Sequence, residues 1–200
     1  ISIAASKEFY VSNSFLDYSL EPKIQIASRI SNDTSDKVPN RDSSEYRLDE
    51  ANLFLNNQYQ GRDNIQENSR INLGLTSLLV TENYGDLNFF IGQSQRIGGT
   101  NKNNNTTNED RQSHIINTFD WNPDDKYNFS WVSLYNHHNF SSDYSDFVFS
   151  GKTKNGFEYS INHSAIKEGF VSDNNDREGL TMSVSKSFTN LKTLYSRNMD

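Results

Sequence analysis

The sequence predicts an all-β chain: an antiparallel transmembrane β-barrel wall, about ten strands of a larger barrel in meander order, with short turns at one end and long loops at the other. Three observations predict it. Between Lys126 and Asn136, aromatic rings stand at Tyr127, Phe129, Trp131 and Tyr135 with small or polar residues between most of them. Rings at every second position give a strand two unlike faces. The same beat returns in Phe157, Tyr159 and Ile161, and in Leu180, Met182 and Val184, the last interleaved with Thr181, Ser183, Ser185 and Ser187. Secondly, the links between such runs alternate between short and long. Thirdly, only 33% of residues are hydrophobic although 12% are aromatic, and mean hydropathy is −0.82. A barrel wall has this balance because one side of each strand is apolar while the other side and the loops are polar.

The predicted strands cover 1–9, 15–30, 69–81, 86–97, 112–121, 126–137, 144–152, 156–166, 178–188 and 191–199. Most reach the ~10 residues that a tilted strand needs to cross a bilayer, about twice the usual soluble length. Short turns are expected at Tyr10–Asn13, Glu82–Gly85, Asn122–Asp125, Thr153–Asn155 and Thr189–Asn190. Asn122-Pro123-Asp124-Asp125 and Lys154-Asn155-Gly156 carry the residues that turns demand. Longer links at 31–68, 98–111, 138–143 and 167–177 are rich in Asn, Asp, Ser and Thr. Tight hairpins along one edge and loops along the other suit periplasmic turns and outer loops. On this orientation Tyr127 lies near the periplasmic boundary, joined by Trp121 in an aromatic belt, and Tyr135 near the outer boundary. Tyr127, Phe129, Trp131, Tyr135, Phe157, Tyr159 and Ile161 are then lipid-facing wall. Any chemistry belongs to the quieter Asn128 and Ser130 face.

Composition excludes other classes. No run of about 18 apolar residues exists to form a transmembrane helix. The formal charge of −7, from 19 basic against 26 acidic residues, argues against a nucleic-acid surface. Cysteine is absent, which leaves no disulfide framework and no thiolate metal site within the chain. Strand-like runs at both ends, with no leader at the start, suggest a segment of a longer protein. No nucleophile elbow, phosphate-binding glycine loop or metal-ligand triad is found, so neither catalysis nor a cofactor or metal is expected. His137-His138 would point to opposite faces of a strand and read as ordinary loop-edge histidines. Asp173-Asn174-Asn175-Asp176 lacks the glycine and distal glutamate of a calcium loop.

The 31–68 link is the leading functional candidate, being long even for a barrel loop. Leu48, Leu53, Phe54, Leu55 and Tyr59 give it apolar anchors, from which it is expected to fold over or into the lumen, against a plug or neighbouring loops, or simply to close the pore. Gly61 suits a turn or a close backbone approach, and Asp49, Arg62 and Asp63 could form lumen ion pairs. Gly74 and Gly92 fall inside strands, where glycine weakens packing. A bend in the wall is the favoured reason, a ligand-facing groove the alternative.

One stretch is more specific than a generic barrel. Leu20-Glu21-Pro22-Lys23-Ile24-Gln25 is followed by Asp42-Ser43-Ser44, Leu48-Asp49, Asn52-Leu53-Phe54, and Asn57-Gln58-Tyr59-Gln60-Gly61-Arg62-Asp63. Asn68-Ser69-Arg70-Ile71-Asn72-Leu73-Gly74-Leu75 and Phe90-Ile91-Gly92-Gln93-Ser94 complete it. This order resembles the barrel of the LptD (organic solvent tolerance protein) family of outer-membrane proteins, in a form most similar to alphaproteobacterial members. The resemblance is close over Leu20–Ile97 and architectural from about 112 to 200. Departures fall on Gln58 and Asn64, where the family often has arginine, and near Arg62, where it often has an aromatic. The family's cysteines lie outside the aligned stretch.

The resemblance implies a large outer-membrane barrel that inserts lipopolysaccharide into the outer leaflet, preceded by a periplasmic jellyroll, filled by an LptE-like lipoprotein plug and fed by a periplasmic Lpt bridge. Asp42, Asp49, Leu53, Phe54, Tyr59, Gly61, Arg62, Asp63 and Arg70 become candidate loop or lumen contacts to the plug or to gating elements. The gate strands would lie elsewhere. Two rivals remain: a passive porin or other outer-membrane transport barrel, whose constriction would carry opposed charge rows, and a soluble β-rich adhesin or lectin, which would refold without detergent.

Overall fold

The computed structural model describes residues 1–28, 44–45, 48–57, 59–60, 68–98, 111–124, 126–167, 176–188 and 191–199, with 44–45, 59–60, 187–188 and 191–199 described by backbone alone. Among the described residues thirteen strands follow one another. They are β1 Ser2–Ser6, β2 Phe9–Ser12, β3 Leu16–Ala27, β4 Ser44–Glu45, β5 Tyr59–Gln60, β6 Ser69–Thr81, β7 Gly85–Gly98, β8 Ile115–Asp124, β9 Tyr127–Tyr135, β10 Ser142–Lys152, β11 Phe157–Ile166, β12 Arg177–Phe188 and β13 Leu191–Met199. All but β4 and β5 form one eleven-stranded antiparallel sheet, in which β3 and β6 to β13 follow in meander order. β1 and β2 both pair with β3, end to end along its free side. The sheet does not close on itself among the described residues, since β1 and β13 are its ends. The predicted partial barrel wall is therefore what the chain forms, and β4 and β5 make a separate two-stranded ribbon.

Turn chemistry sets the strand ends. The first predicted turn lies three residues further along, because the Asn13 side chain accepts from the amides of Phe15 at 2.9 Å and Leu16 at 3.1 Å. What reads as one first strand is broken into β1 and β2 at Lys7 and Glu8. β8 runs past the predicted end at 121 as far as Asp124, with an irregularity between Trp121 and Asp124. The Asp124 carboxylate then accepts from the amides of Lys126 at 2.9 Å and Tyr127 at 3.1 Å, which makes the hairpin tighter than expected. Gly85, at φ 70°, closes the β6–β7 turn directly against the Asn122 carbonyl, a position with no room for a side chain. The predicted 138–143 loop is also a compact turn, with the Asn136 amide donating to the Ser141 carbonyl at 2.9 Å. His137 and His138 sit in that turn, not in a strand, so their rings come together at 3.8 Å between centroids instead of facing apart.

Register sorts the side chains into two faces. Phe119, Trp131 and Phe147 are aligned across β8, β9 and β10, and Tyr127, Gly151 and Tyr159 across β9, β10 and β11. Tyr127, Phe129, Trp131, Tyr135, Phe157, Tyr159 and Ile161 therefore share one face, with Trp121, Phe149, Met182 and Val184. Phe129 meets Phe119 and Phe147 edge-on at 5.6 and 4.9 Å, and Tyr127 stacks on Phe149 at 6.4 Å, geometries worth roughly 0.5–1.5 kcal/mol each beyond burial. Trp121 and Trp131 satisfy their indole N–H groups on the Tyr84 carbonyl at 2.9 Å and the Ser145 hydroxyl at 3.0 Å. Gly151 lies under the Tyr159 ring, which fills the place of its missing side chain. The opposite face carries the buried core: Phe90, Ile116, Leu134 and Tyr144, closed over by Leu53 from the 31–68 link.

Candidate functional site

The described part of the long link, Leu48–Asn57, is a compact strap lying on the face opposite the aromatics. Its fold begins with Asp49 and Asn52. The Asp49 carboxylate accepts from the Asn52 amide at 2.9 Å while the Asn52 side-chain oxygen accepts from the Asp49 amide at 2.9 Å, a reciprocal closure like that of a helix capping box. The Leu53 amide donates to the Asp49 carbonyl and that of Leu55 to the Asn52 carbonyl, each at 3.0 Å. Asp49, a candidate for a lumen ion pair with partners outside the described residues, shapes the turn that presents the next two residues.

Those residues are Leu53 and Phe54, and the strand glycines receive them. Leu53 is 0% exposed. A Cβ built on Gly92 would stand 2.6 Å from Leu53 Cδ2, and one built on Gly74 would stand 2.7 Å from Phe54 Cζ, separations that carbon atoms cannot hold. Gly74 and Gly92 face each other in register between β6 and β7. Together they form a shallow seat in the wall. The contacts give both glycines a physical reason of their own, close approach of strap side chains. Burying Leu53 stabilises the docked strap by about 1.5–3 kcal/mol. Lys23 closes the seat from β3, its ammonium 4.5 Å from the centre of the Phe54 ring. Leu55 does not act as an anchor, being 47% exposed.

Polar groups fasten the strap's backbone. Arg70, 2% exposed, donates through Nη2 to the carbonyls of Leu55 at 2.7 Å and Asn56 at 3.1 Å. Its Nε is buried with no hydrogen-bond partner among the described residues. Burial lends these charge-assisted bonds more weight than surface ones would have. Beside them a relay crosses three strands. Ser94 donates to Asn72 at 2.6 Å, Asn72 to Gln25 at 2.7 Å, and Gln25 to the Phe54 carbonyl at 2.8 Å. Gln25 Nε2 also reaches Ser2 Oγ at 3.0 Å. On the far side, Glu50 stands over β8. Burial pushes its carboxyl above the usual range, Asp120 and Asp49 adding repulsion while the Thr118 hydroxyl opposes the shift.

Of the sequence-predicted site residues, the structure brings Asp49, Leu53, Phe54, Arg70, Gly74 and Gly92 into one assembly. Asp42, Gly61, Arg62 and Asp63 lie outside the described residues, as do Asp173, Asn174 and Asn175 of the calcium-like run, and Tyr59 is described by backbone alone. Gln25, Asn72, Ser94 and Glu50 were not singled out by the sequence. The signal for three of them was present: Gln25, Asn72 and Ser94 are polar residues aligned across β3, β6 and β7, yet only the strand register reveals that alignment. Among the described residues no group of three or more His, Cys, Asp or Glu side chains could hold a metal.

None of the curated proteins matches the chain significantly. A family model does: LPS transport system D, LptD, aligned to residues 3–194. This alignment runs through every strand of the sheet and the strap between them, well beyond the stretch of close motif resemblance. Family membership carries lipopolysaccharide transport and outer-membrane assembly at the level of the family, a transport rather than an enzymatic family. The all-β, open antiparallel meander with one aromatic face is the form such a wall requires. The chain belongs to the LptD family.

Proposed function

We propose that this segment is barrel wall and loop of the outer-membrane translocon that places lipopolysaccharide in the outer leaflet, with its aromatic face against lipid and its strap inside the lumen. The observation that carries the reading is the division of one sheet into two faces. One bears Phe119, Phe129, Phe147 and their neighbours; the other holds a segment of the chain's own loop fastened by Arg70 and Gln25. A lipid with a bulky sugar head needs a polar interior for that head, and a wall whose outer side is compatible with acyl chains. An LptE-like lipoprotein plug and the periplasmic Lpt bridge are the partners this role calls for. The strap, held at the loop end of the sheet, is the part of this segment placed to meet such a plug.

The strap favours this reading over a porin. A porin constriction selects solutes with opposed charge rows, whereas the strap is seated by Leu53 and Phe54. Co-purification of the full-length protein tests the role. The reading expects a stoichiometric lipoprotein in the lumen, and substitution of Leu53 and Phe54 by Ser should lower lipopolysaccharide at the cell surface. A barrel recovered reproducibly with an empty lumen and normal surface lipopolysaccharide would count against it.

A further inference from the structure

At the short-turn end of the strap face lies a cavity of about 610 Å³ between β8 and β12. Its floor is a row of small polar residues in direct register. Asn128 on β9 faces Ser150 on β10, Ser150 faces Ser160 on β11, and Ser160 faces Ser183 on β12. Strands spaced roughly 4.8 Å apart give this row a length of about 14 Å, the reach of about three linked sugar rings. Small side chains at every position leave a trough rather than a ridge.

The chemistry of the trough is mixed donor and acceptor. The Ser160 and Ser183 hydroxyls share a hydrogen bond of 2.6 Å that either can donate, and Asn128 donates to Asn122 at 2.6 Å. Hydroxyls and amides can exchange such bonds for equivalent ones to a ligand hydroxyl, which also donates and accepts. Among the described residues that line the cavity, charges stand at the sill, towards the turns, and they are balanced. Lys126 pairs with Asp124 at 3.4 Å and Lys152 with Glu158 at 3.6 Å, while Ser185 donates to Glu158 at 3.3 Å. A trough with no net charge along its floor suits hydroxyl-rich, uncharged groups better than phosphate, which would seek unpaired cations.

We propose that the row Asn128, Ser150, Ser160 and Ser183 is a saccharide-binding track on the strap face, taking the uncharged sugars of the lipopolysaccharide head at the short-turn end of the wall. This rests on the lipopolysaccharide-transport reading and adds to it a place and a chemistry. The track is separate from the strap: the two occupy opposite ends of one face.

Photocrosslinking in the full-length protein tests it. A benzophenone amino acid is placed at Ser183, at Val184 on the opposite face of the same strand, and at Asn162 one row nearer the loops. Ser150 serves as a second track position should the bulky group at Ser183 hinder assembly. The proposal expects lipopolysaccharide adducts at the track at least fivefold above those at Val184, and their loss in cells whose lipopolysaccharide lacks the sugars beyond lipid A. Adducts at Asn162 but at neither track position would overturn the track and leave the transport reading standing. Adducts at none of the strap-face positions would contradict the transport reading as well. Track adducts that persist when the lipopolysaccharide is cut back to lipid A would show recognition of the phosphorylated, acylated anchor and overturn the assignment to the uncharged head sugars.

Discussion

One face of one sheet behaves in two ways along its length. At the loop end it carries a covered apolar core: Phe90, Ile116, Leu134 and Tyr144 are buried with Leu53 lying across them. At the short-turn end it is hydroxylated and uncovered, with Asn128, Ser150, Ser160 and Ser183 lining an open trough. The strands are the same strands: β9 carries Asn128 and Ser130 at one end of this face and Val132 and Leu134 at the other. Apolar side chains left in water are costly unless something covers them, and the chain supplies its own cover. The contrast shows that the strap is part of the wall's core, while the trough is free to exchange partners.

The comparison breaks most sharply at Leu53. Leu53→Ala should destabilise the loop end by about 2–5 kcal/mol, the cost of a large-to-small change in a packed core, read as a lowered unfolding midpoint of the full-length barrel in urea. Gly92→Val attacks the same seat from below. The added carbons occupy the space of Leu53 Cδ2, so the strap must lift, at a cost of about 1–3 kcal/mol, and limited proteolysis should then cut within 48–57. Arg70→Met removes the donor to two strap carbonyls and should cost about 1.5–3 kcal/mol, again visible as strap cleavage with the strands intact.

The pH response of the strap is smaller, and its sign follows from Glu50. Its carboxyl is held above its usual range when docked, so the docked state binds a proton more readily than the free one. Docking is fully favoured below the ordinary glutamate range and weakens as pH rises through the raised value. Hydrogen exchange of the 48–57 amides should speed up over that window, and Glu50→Gln should abolish the dependence. At the other end of the face, Ser160→Ala removes one hydroxyl from a floor with replaceable partners and should change unfolding stability by less than about 0.5 kcal/mol.

The wall was legible in the sequence because period-two alternation survives burial: aromatics at 127, 129 and 131 face one way whatever their neighbours do. Turn positions were less legible where a side chain sets the turn, as Asn13 and Asp124 do. The anchors Leu53 and Phe54 stood out as apolar residues in a polar link, but their seat did not. Gly74 and Gly92 are 18 positions apart, and only the β6–β7 register makes them one surface. The relay from Ser94 through Asn72 to Gln25 and the track from Asn128 to Ser183 were hidden for the same reason. A sequence shows which face a residue takes, whereas register decides which residues on that face meet.

The most direct measurement is thiol accessibility on the strap. The chain has no cysteine, so Leu53→Cys and Leu55→Cys each add one thiol to it, read against the parent full-length barrel as background. Leu53 is 0% and Leu55 47% exposed. A polar maleimide should modify the thiol at 55 at least tenfold faster than the thiol at 53, and adding Gly92→Val should bring the two rates together. Equal rates in the unaltered wall would contradict a strap seated on Gly74 and Gly92.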